Sequence, residues 1–298
     1  MKLTTRRSFL RRSVAAAAVL GAGPFAVPTA PAAERRGRHM AIGLVTYMWG
    51  ADWDLPTLIA NCEQGNMAGV ELRTTHRHGV EPGLSPAERA EVKKRFDDSP
   101  VTLVGPGSNE RFDSPDPDAL KRAIETTKAF VKLSHDVGGT GVKVKPDSLQ
   151  KGVDPEATIA QIGEALNAVG KFAGDYGQQI RLETHGSCAP PPIMKRIMDH
   201  VTDPNVAICW NSNAVDLEGE GFEHNFDLLK DRFGATVHIR ELDRLGYPWQ
   251  RLVDLLVAMD YRGHLLLECT GKPDDTVAAM AAQARLLREM VSRAAAEA

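Results

Sequence analysis

The strongest constraint on the fold is a regular alternation of short apolar runs with longer amphipathic stretches. The later runs recur at intervals of about thirty residues, which is the length of one strand, one helix and their loops. Several runs are continuous and rich in β-branched residues or leucine, as is typical of parallel strands covered on both faces. Eight strand-like runs can be marked, over 42–46, 69–73, 101–105, 141–145, 179–183, 206–209, 235–239 and 265–268.

Helical stretches lie between these runs. Ser85 is a favourable N-cap and Pro86 a favourable first-turn residue, so the sequence predicts a helix over 86–96. Similar stretches cover 118–135, 155–176, 249–259 and 274–298. Repeated alternation of strand and helix predicts an α/β protein with a single (β/α)8 TIM barrel. The competing fold, an open doubly wound sheet, would need a glycine-rich phosphate turn after the first strand, and residues 47–51 do not supply one.

The N-terminal segment is predicted to lie outside the fold. Residues 5–11 read Thr-Arg-Arg-Ser-Phe-Leu-Arg, which fits a twin-arginine export signal. The apolar stretch over 14–27 is too short and too broken for a membrane span, and Ala-Pro-Ala at 30–32 fits a cleavage site. We therefore expect a signal peptide over 1–32 and a barrel over 33–298. The mature protein would be periplasmic or extracellular and free of the membrane, whereas a basic leader without an export role is the alternative.

Composition excludes several classes of protein. The net charge is −3 and no basic stripe is interleaved with aromatic residues, so we expect no nucleic-acid partner. The four cysteines show no C-x-x-C spacing, which excludes a zinc ribbon. Buried free thiols are the expectation, although a disulfide after export stays open. The cysteines are Cys62, Cys188, Cys209 and Cys269.

Four successive strand-like runs end in residues that can bind a metal. These residues are Glu183, Asn211, His238 and Glu268. Because parallel strands of a barrel open onto one face, we expect the four side chains to converge there. Two carboxylates, an imidazole and an amide oxygen suit one divalent cation. A single glutamate at a strand end is ordinarily a surface residue or a helix cap, but four such residues in succession indicate a metal site and an enzyme.

The segments around these residues resemble the xylose-isomerase-like barrel superfamily, the sugar (phosphate) isomerase/epimerase group, over most of the mature chain. They read Leu-Glu-Thr-His at 182–185, Cys-Trp-Asn-Ser-Asn at 209–213, Val-His-Ile-Arg-Glu at 237–241 and Leu-Glu at 267–268. The resemblance implies a TIM barrel that holds one divalent ion, manganese first, with magnesium, cobalt or zinc as alternatives. It also implies that Glu183 and Glu268 act as acid and base beside a carbonyl, and that Arg244 contacts the substrate.

Asn211 departs from the family pattern, which usually has aspartate at this place. An amide oxygen can coordinate a metal, but the loss of one negative charge should weaken metal binding or change its selectivity. If Asn211 is not a ligand, Asn213 is the next candidate. Export is a second departure, because sugar phosphates are mostly intracellular. We therefore expect a small carbohydrate substrate without a phosphate, either a sugar or a glycoside derivative.

Further candidate substrate contacts follow other strands. Lys143 and Lys145 lie in the fourth run, and we expect only one of them to point into the barrel. Lys145, nearest the strand end, is favoured to orient a hydroxyl or to stabilise an enolate oxygen. Trp49 suits stacking on a sugar ring, with packing between helix and barrel as the alternative. For His76 and His78, which follow the second strand, a structural or solvent-facing role is the alternative. The remaining candidates are His76, His78, Asn109 and His185.

Three functions stay open from the sequence. A divalent ion that bridges carbonyl and hydroxyl oxygens would stabilise an enediolate, and two glutamates could serve both faces of one carbon, giving a sugar isomerase or epimerase. The same intermediate could expel a β-leaving group, giving a lyase of 3-keto-glycosides, which export and Asn211 favour. A non-catalytic carbohydrate-binding barrel is the third reading. The sequence does not name the sugar, and homo-oligomerisation stays open.

Overall fold

The strands close into a barrel. In a computed structural model of the chain, residues 37–297 are described, and the predicted signal peptide lies outside this range. Neighbouring strands pair in parallel in chain order, and the first pairs with the last. The prediction of a single (β/α)8 TIM barrel is confirmed. The strands are β1 (Ala41–Val45), β2 (Gly69–Arg73), β3 (Thr102–Arg111), β4 (Gly141–Lys145), β5 (Gln179–Glu183), β6 (Val206–Asn211), β7 (Phe233–Ile239) and β8 (His264–Leu267).

A helix follows each strand within the described range. Proline in the first turn and an acidic or serine N-cap start the early helices, because the cap oxygen satisfies a free backbone N–H and proline lacks one. No helix among residues 37–297 combines the length and apolar character of a membrane span. The helices are α1 (Leu55–Gln64), α2 (Pro86–Asp97), α3 (Pro117–Asp136), α4 (Pro155–Gly174), α5 (Pro191–Asp199), α6 (Phe222–Leu229), α7 (Trp249–Ala258) and α8 (Thr276–Glu297).

The apolar core lies between the barrel and the helices. Outward strand residues such as Leu72, Val142 and Leu182 are buried there against helix residues. The barrel interior holds only a small apolar cluster of Val45, Val104 and Leu266. Most of the remaining interior near the carboxyl ends of the strands is polar, so charged side chains occupy the centre of the molecule.

One glycine is required by the geometry of the barrel. Gly105 has a φ of 146°, and a Cβ there would overlap the carbonyl oxygen of Gly141 on the next strand. The strand pairing shifts at the same place, where Val70 pairs with Leu103 but the next residue, Glu71, pairs with Gly105. The shift is a β-bulge in β3, which places two β3 residues opposite one step of β2.

All four cysteines are buried and free, as expected for thiols packed in the core. Burial raises the pKa of Cys62 to about 12, so this thiol is protonated and unreactive at neutral pH.

Candidate active site

The residues that end β5 to β8 meet inside the barrel. Glu183 is the last residue of β5, and Asn211 pairs in register with His238 on the next strand. Ligand atoms of Glu183, His238 and Glu268 all lie within 4.8 Å of one another. An ion with bonds of about 2.0 to 2.6 Å brings its ligand atoms to about this spacing. The structure therefore contains a buried Glu/His/Glu cluster of a size that fits one divalent ion.

Unpaired polar atoms support this fit. Asn211 Oδ1 and His238 Nδ1 are buried and have no hydrogen-bond partner among residues 37–297. Buried polar atoms are normally satisfied, so an unmet group suggests a partner that is still to be supplied. Carboxylate oxygens with an imidazole nitrogen suit manganese, magnesium, cobalt or zinc. The chemistry of the donor set agrees with the spacing.

The amide of Asn211 bridges the two glutamates. Its Nδ2 donates to Glu183 Oε1 at 2.8 Å and to Glu268 Oε2 at 3.3 Å. An N–H cannot bind a metal, so ligation by Asn211 would use Oδ1, which is the unpaired amide atom. Asn213 instead donates to the backbone oxygens of Thr184 and Asn211, and so serves the strand ends.

Lys143 contacts the cluster, although Lys145 is the lysine that the sequence favours. It is 2% exposed, and its Nζ lies 2.8 Å from Glu183 Oε2. Lys145 is buried as well, so the expectation that only one of the two lysines points inward is wrong. Residues two apart in a strand share a face, and both side chains therefore project into the barrel. Burial alone lowers the pKa of Lys143, but Glu183 and Glu71 outweigh it and raise the pKa above its ordinary value.

Glu71 of β2 also contacts the cluster, and the sequence did not single it out. It is 1% exposed, and its carboxylate lies 3.4 Å from His238 Nε2. The other ring nitrogen, Nδ1, lies 3.7 Å from Glu183 Oε1. A carboxylate behind a histidine orients the ring and strengthens it as a ligand, as in many metal sites. Glu71 thus holds His238 with Nδ1 directed at the cluster.

The cluster is strongly polarised. Burial raises the pKa of Glu183, but the ammonium of Lys143 and the ring of His238 outweigh burial and hold this pKa well below its usual range. Burial lowers the pKa of His238, but Cys209 and Glu71 outweigh it and raise the pKa well above its ordinary value. The electrostatics therefore favour an anionic Glu183 beside a cationic Lys143.

Arg73, the last residue of β2, contacts two of the residues that the sequence predicts to bind substrate, His76 and Asn109. Its guanidinium lies 3.2 Å from His76 Nε2 and 3.5 Å from Asn109 Oδ1, and it stacks over Tyr47 at 5.4 Å from the ring centroid. Lys145 lies at the carboxyl end of β4. Its burial, and to a smaller extent the charge of Lys143, lowers the pKa of Lys145. Arg73, Asn109 and Lys145 thus bring donors to the carboxyl ends of β2, β3 and β4.

His185 and Arg244 lie in the loops that follow β5 and β7, respectively. His185 Nδ1 lies 2.8 Å from Asp147 Oδ1, and Arg111 also pairs with Asp147 at 2.8 Å. Arg244 is exposed and donates to Thr270 Oγ1 at 3.1 Å. It lines a cavity of about 280 Å³ together with Arg240, which contacts the backbone oxygen of Glu268 and lies 3.4 Å from its carboxylate.

Two residues that the sequence predicts to contact substrate, His78 and Trp49, make structural contacts instead. His78 is 6% exposed, its Nε2 contacts Arg73 O, and its Nδ1 accepts from the Val80 N–H, so both ring nitrogens serve their own loop. Trp49 is 6% exposed in the core and donates to Gly271 O at 2.8 Å. The packing alternative therefore describes Trp49 better than stacking on a sugar.

Comparison with known proteins decides the family. Residues 59–290 match the family model described as a xylose isomerase-like TIM barrel. The chain belongs to this family. The resemblance drawn from the strand-end motifs is thereby confirmed, whereas no curated protein matches the sequence significantly.

Solved structures agree with the fold. The 3-keto-D-glucoside 4-epimerase from E. coli, in its apo form, has 14% identity and a TM-score of 0.70, with 84% of this chain and 99% of that chain covered. An L-ribulose 3-epimerase has 18% identity and a TM-score of 0.73, with coverage of 87% and 96%. D-psicose 3-epimerase with D-tagatose, from Clostridium cellulolyticum H10, has 18% identity and a TM-score of 0.67, with coverage of 86% and 96%. At such identities the likeness shows a common barrel.

Proposed function

We propose that the protein is a metal-dependent sugar isomerase or epimerase that moves a proton at a carbon beside a carbonyl. The buried Glu183–His238–Glu268 cluster at the carboxyl ends of the strands carries this proposal, because TIM-barrel enzymes place their chemistry on that face. Membership of the xylose isomerase-like family supports it. The names of three solved neighbours, all sugar epimerases, support a small carbohydrate as the substrate.

The proposed metal ligands are Glu183, His238 and Glu268, with Asn211 as a fourth through its free Oδ1. When bound, the divalent ion supplies Lewis acidity toward the oxygens of the substrate. Manganese is the first choice of ion. Glu71 and Lys143 do not bind the ion in this proposal, but orient His238 and Glu183 respectively.

The two glutamates are the proposed acid and base. Lys143 and His238 hold Glu183 in the anionic form that accepts a proton. Glu268, beyond the end of β8, is 9% exposed and lies across Asn211 from Glu183. Two carboxylates joined by one amide can serve the two faces of one carbon, which inverts its configuration. Lys145, His185 and Arg244 would contact the hydroxyls of the sugar.

A second candidate is a lyase that cleaves 3-keto-glycosides by β-elimination. Its first step, removal of a proton beside the carbonyl, is the same. The cavity of about 280 Å³ lined by Arg240 and Arg244 favours it, because Arg240 contacts Glu268 and the space beside it can accommodate a leaving group.

The proposal includes export by the twin-arginine pathway, which rests on residues 5–11 and 30–32. Outside the cytoplasm an unphosphorylated sugar or keto-sugar is the more accessible substrate. Cell fractionation of the full chain and of an Arg6→Lys, Arg7→Lys variant tests this part. Equal distribution of both between the compartments would contradict it.

Deuterium incorporation tests the reaction. Protein supplied with manganese is incubated in deuterated water with a panel of ketoses and 3-keto-glycosides, and the products are analysed by mass spectrometry. We expect one deuterium at the carbon beside the carbonyl, and a large loss of exchange in Glu268→Gln with metal still bound. An epimer supports the isomerase, and a released aglycone with an unsaturated sugar supports the lyase. Binding without exchange or turnover would instead indicate a carbohydrate-binding protein.

A further inference from the structure

Lys143 places a positive charge beside Glu183, one of the proposed metal ligands. The side chain leaves the middle of β4 and places Nζ 2.8 Å from Glu183 Oε2. The other oxygen of the same carboxylate accepts from Asn211 Nδ2 at 2.8 Å. Each oxygen of Glu183 therefore already has a donor beside it, one of which carries a full positive charge.

The ammonium has little freedom to leave. Lys143 is 2% exposed, and its strand is paired on both sides, with Arg181 as its partner in register on β5. Arg181 is 1% exposed and donates to Val104 O and Thr140 Oγ1 in the layer below. Turning Lys143 toward that layer would bring two buried cations together, and the low polarisability of the interior makes such an approach unfavourable. The charge of Lys143 therefore stays beside Glu183.

A divalent ion bound by Glu183 would meet this fixed positive charge at short range. Repulsion between buried charges a few ångströms apart is only weakly screened. Asn211 adds to the effect, because an amide stands between the two glutamates and brings no charge of its own.

We propose that Lys143 is a built-in cation of the centre, which neutralises Glu183 and thereby weakens the affinity of the Glu183–His238–Glu268 cluster for a divalent ion. The inference rests on the metal site of the proposed function. Lys143 is a positioning residue in this scheme. It keeps Glu183 in place when no ion is bound, and it makes the ion exchangeable.

Manganese titration of the full-length protein tests the proposal. The free ion is measured by electron paramagnetic resonance with wild type, Lys143→Met, Lys143→Arg and Lys145→Met. We expect Lys143→Met to bind Mn²⁺ at least tenfold more tightly than wild type, and Lys143→Arg, which keeps the charge, to remain near wild type. Lys145→Met is the matched control, since Lys145 projects from the same strand face without an ion pair to Glu183, and its gain should be clearly smaller.

An unchanged or weaker affinity in Lys143→Met overturns the proposal, as does an equal gain in Lys145→Met. Thermal melting establishes that each variant is folded. If Lys143→Met does not fold, Lys143→Gln makes the same test with a neutral hydrogen-bonding side chain.

The result separates this inference from the proposed function. If wild type binds Mn²⁺ and Lys143→Met does not bind it more tightly, only the role of Lys143 is wrong. If no variant binds Mn²⁺ at millimolar concentration, including Asn211→Asp, the metal site itself is wrong. Wild type that binds weakly beside a tightly binding Lys143→Met supports both.

Discussion

Replacing Asp216 with asparagine is expected to flatten the pH dependence of stability. Asp216 is fully buried beside the site loops. Its Oδ2 accepts from the Tyr247 hydroxyl at 2.7 Å and from the Asn213 N–H at 2.9 Å, whereas Oδ1 has no partner among residues 37–297. Burial raises the pKa of Asp216 to about 7, and these two hydrogen bonds only partly offset it.

The sign follows from proton linkage. The folded pKa of about 7 lies above the unfolded value of 3.8, so the folded state binds more protons between these values. The contribution of Asp216 to the free energy of unfolding is therefore highest at low pH and falls as the pH rises toward 7. Each pH unit within this window costs about 1.4 kcal/mol, which gives a loss of about 3 kcal/mol between pH 5 and pH 8 as an order of magnitude.

Urea unfolding at pH 5 and pH 8 measures this loss. Asparagine keeps an oxygen for Tyr247 and Asn213 but does not ionise, so Asp216→Asn should lose about 3 kcal/mol less than wild type between the two pH values. Asp52→Asn is the control, because Asp52 is exposed and lies 3.8 Å from an exposed lysine. Wild type and Asp216→Asn that lose the same stability would refute the assignment of a raised pKa to Asp216.

Three further predictions concern the centre and its support. Asn211→Asp should bind Mn²⁺ more tightly, because a carboxylate adds negative charge; chelator competition measures this, and unchanged affinity would show that Asn211 is not a ligand. Glu71→Gln should weaken Mn²⁺ binding by about 10- to 100-fold, since it removes the carboxylate behind His238. Isothermal titration calorimetry on the folded variant measures this affinity, and an affinity equal to that of wild type would contradict the prediction. Gly105→Ala should destabilise the fold by about 1 to 3 kcal/mol or more, because its Cβ meets Gly141 and its φ is positive; a melting temperature equal to wild type would oppose this.

The sequence predicts the barrel well because its strands are continuous apolar runs. All eight predicted runs overlap observed strands, and β2, β4 and β5 have the predicted bounds. Three helices, α1, α5 and α6, are not among the predicted stretches. They have ten, nine and eight residues, which gives a weak apolar periodicity, although α7, also of ten residues, is predicted. The strand-like runs of the sequence thus predict the fold better than its helical stretches do.

The site is predictable at the strand ends but not within the strands. Glu183, His238 and Glu268 meet as expected because every strand of the barrel opens onto one face. Glu71 and Lys143 lie within their strands; Glu71 is not among the predicted residues, and Lys145 is favoured over Lys143 because it is nearer the strand end. The alternation in Gly-Val-Glu-Leu-Arg and Gly-Val-Lys-Val-Lys is the signal that places these polar residues inward.

Other outcomes depend on contacts that a single sequence does not contain. The ring of His78 is used by its own loop, and Trp49 bonds to Gly271, which is distant in sequence. The orientation of the Asn211 amide depends on two glutamates from other strands. Long-range geometry of this kind arises only when the barrel closes.

Anomalous diffraction tests the proposed metal centre most directly. Crystals of the protein grown with Mn²⁺ would be measured at a wavelength where manganese scatters anomalously, with Glu268→Ala crystals as the control. We expect one strong peak within bonding distance of Glu183, His238 and Glu268 in wild type, and its loss or marked weakening in Glu268→Ala. A well-occupied peak elsewhere in the barrel, or none at this cluster at millimolar Mn²⁺, would contradict the account.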